Sequence, residues 1–161
     1  MKDARFSISI DIKATAERVF DVMCDVTRWS EWTPSVTSIK RLDSGPFVVG
    51  SRAVIRQPKF PPALWTISAI EPGRSFTWFN RAPGIRVFAH HLVEPTTTGS
   101  RATLSLRYEG LFGEVLAWLA DDITRRYLFM EAGGLKGRSE NPAYASQQST
   151  VGGSEFSVTS P

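Results

Sequence analysis

Two side chains in the middle of the chain have the chemistry of proton transfer. His91, in the run Val87 to Val93, and Tyr108, in the run Leu104 to Tyr108, are residue types that give or take a proton beside a bound carbonyl. Both lie in segments whose apolar residues alternate, so each can be turned toward a shared interior. The face carrying Val87, Ala89, His91 and Val93 is more uniformly apolar than the one carrying Phe88, His90 and Leu92, and His91 is therefore expected inward. His90 then faces the other way, and the two rings cannot chelate one metal ion. Other chemistries find no footing. The chain has no G-x-S-x-G elbow, P-loop, G-x-G-x-x-G turn, H-E-x-x-H pair or EF-hand loop. Its single cysteine, Cys24, cannot close an internal disulfide and has no Cys or His at ligand spacing. No cofactor and no metal is expected.

The elements that would position these groups are legible from periodicity. Phe6, Ile8, Ile10 and Ile12 alternate with polar residues, a half-buried first strand. Thr15 is placed to cap a helix whose inward stripe is Val19, Phe20 and Met23. A second short helix follows Thr27, with Trp29 and Trp32 on one face, and ends at Pro34. From there to Gly110 the period is close to two, broken by turn residues, giving six strands over about 35–43, 50–58, 63–71, 75–82, 85–95 and 101–109.

The last apolar segment, Leu111 to Glu131, has helical spacing. Centred on Leu119, one side carries Phe112, Val115, Leu116, Ile123, Tyr127 and Met130, and this side is expected to meet the sheet. Asp122 and Arg126 fall inside the same arc. They form either an i,i+4 ion pair at its rim or a charged pair looking into a cavity. Asp121 and Arg125 repeat the spacing on the wet side. The order strand, two helices, six strands, long helix describes an α+β fold, a curved antiparallel sheet wrapped around one helix.

Length and composition bound the rest. The chain has 161 residues, 42 % hydrophobic and 22 % charged, enough for one domain with a sizeable core over residues 1–140. The remaining 141–161 hold no Lys or Arg and are rich in Ser, Gln, Thr and Gly, which reads as a disordered or appended tail. A net charge of +3 spread among strands and turns argues for solubility rather than for nucleic acid. No apolar run reaches the length of a signal peptide or a membrane span, so the expected location is cytoplasmic.

Several stretches carry a family likeness. The segment ATAERVFDVMCDVTRWSEWTPSV (Ala14 to Val36) resembles the opening signature of the START-like, helix-grip (SRPBCC) superfamily, in particular the polyketide cyclase/dehydrase and lipid-transport family. VVGSRAVIRQP from Val48, WTISAIEPGRSFTW from Trp65, HHLVEP from His90 and GSRATLSLRYEG from Gly99 follow in matching order. The resemblance implies a seven-stranded sheet gripping the C-terminal helix around an elongated apolar cavity, its mouth partly near Trp29 and Trp32.

Alternation names the lining of such a cavity. Ala53, Ile55 and Gln57 share a face, as do Trp65, Ile67 and Ala69; Phe76, Trp78 and Asn80; and Leu104, Leu106 and Tyr108. With Trp29, Trp32, His91, Leu119, Ile123, Arg126 and Tyr127 these make an apolar site with sparse polar groups, the usual composition of a small-molecule pocket. The leading reading is binding or transport of a hydrophobic guest of lipid, aromatic polyketide or isoprenoid type. A cyclase or dehydratase using His91 or Tyr108 in the same cavity is the first alternative. A co-chaperone-like interaction module with a closed interior is the second.

Overall fold

The structure, a computed structural model, describes residues 6–141. Strand β1 (Phe6–Ile12) leads into helix α1 (Ala16–Cys24), and the Thr15 hydroxyl caps that helix by accepting from the Arg18 N–H at 3.3 Å. A short 3-10 helix, Val26–Glu31, follows. Then come β2 (Ser38–Arg41), β3 (Arg52–Gln57), β4 (Phe60–Glu71), β5 (Ser75–Ala82), β6 (Ile85–Thr96) and β7 (Gly99–Glu109). Two helices close the chain, α2 (Gly113–Leu119) and α3 (Asp121–Glu140). The expected tail lies, apart from Asn141, outside the described residues. No helix among the described residues is long and apolar enough to cross a membrane.

The strands form one antiparallel seven-stranded sheet in the order β1-β7-β6-β5-β4-β3-β2. The short helices carry the chain from β1 at one edge to β2 at the other, and hairpins then fill the sheet in sequence. This is the α+β arrangement expected from periodicity, in the helix-grip form that the resemblance implies. The inner face meets α3, and a core of Val19, Met23, Trp29, Phe76, Val93 and Leu135 fills one end. A second cluster, Phe6, Leu104, Ala117, Leu128 and Ala132, joins β1 and β7 to the closing helices.

Two expectations need correction. Leu111 to Glu131 is not one helix with its bulky side inward. The helix breaks at Ala120, and Asp121 and Asp122 occupy the first turn of α3, where its positive end favours carboxylates. The buried stripe is Gly113, Ala117, Ala120, Thr124, Leu128, Ala132, Leu135 and Ser139, roughly opposite Leu119. Leu111, Phe112, Val115, Trp118, Leu119 and Phe129 face solvent, Leu119 at 68 % exposure. The second correction concerns β4. A bulge between Ile67 and Ala69 shifts its register, so Ala69 turns outward opposite Thr77 and Ile70 takes the inward place opposite Phe76.

Side-chain and backbone contacts pin the C-terminal half of α3. Arg18 donates to the Ser139 and Asn141 carbonyls at 2.7 and 2.9 Å, and Arg138 meets Glu31 at 2.5 Å. Nearby, Gly134 passes so close to the end of the 3-10 helix that a Cβ there would overlap the Trp32 carbonyl oxygen, whereas Gly133 and Gly137 have open space. Alanine in an open helix interior stabilises by about 0.5–1 kcal/mol relative to glycine. Gly133→Ala and Gly137→Ala should therefore raise the unfolding free energy by about that much, and Gly134→Ala should lower it by about 1 kcal/mol or more. Denaturant melts check the sign; a stabilising Gly134→Ala would refute the close approach.

Candidate functional site

Strand register builds the floor of the site in rows. Phe76, His91 and Leu104 lie side by side across β5, β6 and β7; Trp78, Ala89 and Leu106 form the next row; Asn80, Val87 and Tyr108 form the third. Each row follows the last by two residues, so every member points to the same face. On β4, Trp65 stands beside Asn80 and Ile67 beside Trp78. The rows run from the packed end of the sheet toward the end where Phe60 of the β3-β4 hairpin meets Tyr127.

Between this floor and the closing helices lies a cavity of about 330 Å³. Trp29, Ile55, Trp65 and Trp78 form part of its wall, with Gln57 and Asn80 beside them. The helices contribute Leu116, Ala120, Thr124, Tyr127, Leu128 and Glu131. Trp29, Trp78 and Trp65 make a continuous aromatic surface, with ring centroids 5.3 and 5.4 Å apart. Phe60 meets Tyr127 edge-on at 5.8 Å toward the hairpin end.

The polar centre of the site is His91. Its ring stacks on Phe76 at 4.4 Å and 11°, lies beside Trp29, and places Nε2 2.8 Å from Glu131 Oε1. The side chains are 5 % and 14 % exposed. Nδ1 is buried with no hydrogen-bond partner among the described residues, and the ring is held by stacking on Phe76 and by the Glu131 carboxylate. Tyr108 is held too, its hydroxyl 3.1 Å from the Thr124 hydroxyl. The Trp65 Nε1 and Tyr127 hydroxyl are buried with no hydrogen-bond partner among the described residues. Trp29 differs, because its indole donates to the Met23 carbonyl at 3.1 Å.

Among the residues expected at the site, Trp29, Ile55, Gln57, Trp65, Trp78, Asn80, His91, Leu106, Tyr108 and Tyr127 are thus brought together around one space. Five others are elsewhere. Trp32 packs against the far side of Trp29 at 5.3 Å, and Ile67 is buried in the solid core. Leu119 faces solvent, and Ile123 and Arg126 stand with it outside the arc that looks into the cavity. Arg126 is exposed beside Ser7, Ile8 and Phe129, so it does not bring charge into the interior. Asp121 and Arg125 do pair on the wet side, at 2.7 Å.

Glu131 was not anticipated. It follows Thr124 by seven residues and so shares its helix face, and the stripe of small residues from Ala117 to Leu128 would have marked that face as inward. Bulk was the misleading signal, since the largest apolar side chains point away.

Among the described residues no three His, Cys, Asp or Glu side chains converge. Cys24 is packed in α1 beside Asp21, and burial pushes its thiol up to about 12, far from the range of a reactive thiolate.

Comparison with known proteins agrees with this architecture. A family model described as polyketide cyclase/dehydrase and lipid transport matches residues 3–133. The chain belongs to that family. No curated protein matches it. Among solved structures, the hypothetical protein jhp0584 of Helicobacter pylori superposes with a TM-score of 0.70 at 16 % identity, covering 83 % of this chain and 86 % of the other. The Zhui aromatase/cyclase of Streptomyces sp. R1128 superposes at 0.67 and 14 % identity, covering 88 % and 96 %. Ara h 8.0201 does so at 0.61 and 15 %, covering 83 % and 95 %. At these identities the likeness establishes a shared fold.

His90, on the outer face of β6, shows how the two histidines differ. Its Nδ1 lies 2.7 Å from the Thr77 hydroxyl, and burial pushes its pKa down from 6.5 to about 4. Above pH 6.5 the ring is neutral in both folded and unfolded chains. Below it the unfolded chain takes up a proton that the folded one resists until about pH 4, so this group removes stability as pH falls through that window. His90→Gln should lose less stability than the wild type between pH 7 and pH 4 in urea melts. Identical losses would show that the ring titrates normally in the fold.

Proposed function

We propose that the chain binds a hydrophobic small molecule in the space between the sheet and the closing helices. The observation that carries this reading is the unfilled, aromatic-walled cavity of about 330 Å³. Its volume is at the low end of ligand pockets, which suits a compact ring system better than a long acyl chain. Burying roughly 200 Å² of apolar guest surface contributes about 5 kcal/mol, corresponding to sub-millimolar affinity, so any tighter binding must draw on the polar groups. The family description, which couples cyclases with lipid transport, is consistent with such a guest.

Titration with the fluorescent probe N-phenyl-1-naphthylamine is expected to give saturable emission enhancement with quenching of tryptophan, since Trp29, Trp65 and Trp78 line the cavity. Ala63→Trp, which adds bulk to the wall, should weaken uptake about tenfold or more without loss of the folded far-ultraviolet spectrum. Uptake that is linear and unsaturable, or indifferent to Ala63→Trp, would refute the reading.

One observation favours a second reading, a cyclase or dehydratase. The carboxylate and imidazole pair is a proton-handling group set inside an apolar pocket. Because Nδ1 of His91 is buried and Nε2 faces Glu131, the carboxylate is the member that meets a guest, and His91 would act through it. On this reading Glu131→Gln abolishes turnover of a reactive poly-β-carbonyl substrate by about 100-fold or more while probe binding persists. Loss of neither activity nor binding would remove Glu131 from any catalytic role.

A further inference from the structure

We infer that the His91 and Glu131 pair anchors the guest, and that it selects an uncharged ring compound carrying a hydroxyl group. This rests on the reading of the cavity as a binding site and adds what the site prefers. Glu131 lines the cavity and accepts from His91 Nε2 through Oε1 at 2.8 Å, and its second oxygen is not among the buried polar atoms left without a partner. A carboxylate carries acceptor capacity on both oxygens, so this cavity-lining side chain has more than its bond to His91 uses. A hydroxyl group entering the cavity can donate to it.

The charge balance of the lining decides which polar group is welcome. Among the described residues no Lys or Arg lines the cavity, and Glu131 is the one carboxylate that does. With one proton in the bond between Nε2 and Oε1, the pair carries a charge of minus one, or zero if Nδ1 is protonated as well. Neither state is positive. A carboxylate guest would therefore leave water without gaining a cation, next to a group that already carries negative charge. An ammonium guest would gain attraction, yet it would bury three donors before a single carboxylate, and its desolvation costs several kcal/mol. A neutral hydroxyl needs one acceptor and finds one.

The surroundings add shape to this preference. Trp29 and Trp78 flank His91, with ring centroids 5.4 and 5.8 Å away, so the approach to the pair is walled by aromatic faces and edges. A planar ring packs there with its hydroxyl toward Glu131, while a flexible chain would give up more rotamer freedom for less contact.

Displacement of N-phenyl-1-naphthylamine by four ligands of matched shape tests the inference. In the wild type, 2-naphthol should bind about tenfold more tightly than 2-methoxynaphthalene, which lacks the donor, and more tightly than 2-naphthoate or 2-naphthylmethylammonium. In the double variant His91→Phe with Glu131→Met the order of the first two should invert, because the apolar site rewards the more hydrophobic ether. The isosteric Glu131→Gln, which keeps the shape, should strengthen 2-naphthoate binding several-fold and serves if the double variant does not fold. A naphthol preference that survives in the double variant, a naphthoate affinity untouched by Glu131→Gln, or an ammonium that outbinds naphthol would each overturn the inference while leaving the cavity a binding site. Absence of saturable probe uptake by the wild type would overturn both.

Discussion

Small side chains on the closing helices, set against large ones on the sheet, are the constraint from which the rest of this structure follows. Ala117, Ala120, Thr124 and Ala132 make up half of the stripe that α2, α3 and their junction turn inward, beside Leu128 and Leu135, while the sheet answers with Trp65, Phe76, Trp78 and Tyr108. A curved sheet cannot be filled by such a thin stripe, and the unfilled part is the cavity. Protein interiors otherwise pack like organic crystals. Scaled by the slope seen when core side chains are truncated, a sealed and empty space of about 330 Å³ would cost about 8 kcal/mol, comparable with the whole stability of a domain. A dry, empty, closed cavity is therefore a costly state for this fold, and water or a guest that fills the space relieves that cost.

The same constraint explains why one polar pair can sit so deep. His91 lies in the most densely aromatic part of the floor, stacked on Phe76 and flanked by Trp29 and Trp78. Such surroundings penalise an unpaired polar group heavily. Glu131 reaches across the gap and supplies the partner, and it lines the cavity as it does so. Packing on one side and openness on the other make the pair at once a structural tie between β6 and α3 and a chemically available group. Filling the hollow with larger helix residues would keep the tie and remove the availability.

Much of the architecture can be read from residue order, and the reasons for the exceptions are specific. Alternation located every strand of the sheet and the inward orientation of His91, because a half-buried strand has only two faces and one must be apolar. The β4 bulge was invisible to it: one extra residue after Ile67 exchanges the roles of Ala69 and Ile70 without leaving a local mark in composition. The helix face was inverted for a deeper reason. Hydrophobic periodicity assumes that the largest apolar residues are buried, and here Leu119, Trp118 and Phe129 are outside while alanine and threonine are inside. That inversion misplaced Leu119, Ile123 and Arg126 and hid Glu131.

Stability and access are divided along the length of the molecule. At one end Arg18, Arg138, Gly134 and the tryptophans around Trp29 lock α3 against α1 and the 3-10 helix. At the other, α2 buries only Gly113 and Ala117 of its seven residues and presents Val115, Trp118 and Leu119 to solvent. Local stability follows buried contact, so the packed end carries the fold and α2 adds little to it. The cavity extends from the first region into the second, with His91 and Glu131 at its firmly held end and Phe60, Tyr127 and Leu116 at its lightly held one. Its geometry therefore keeps the polar anchor fixed by the core and makes the wall beside Leu116 the part whose rearrangement would disturb the fold least.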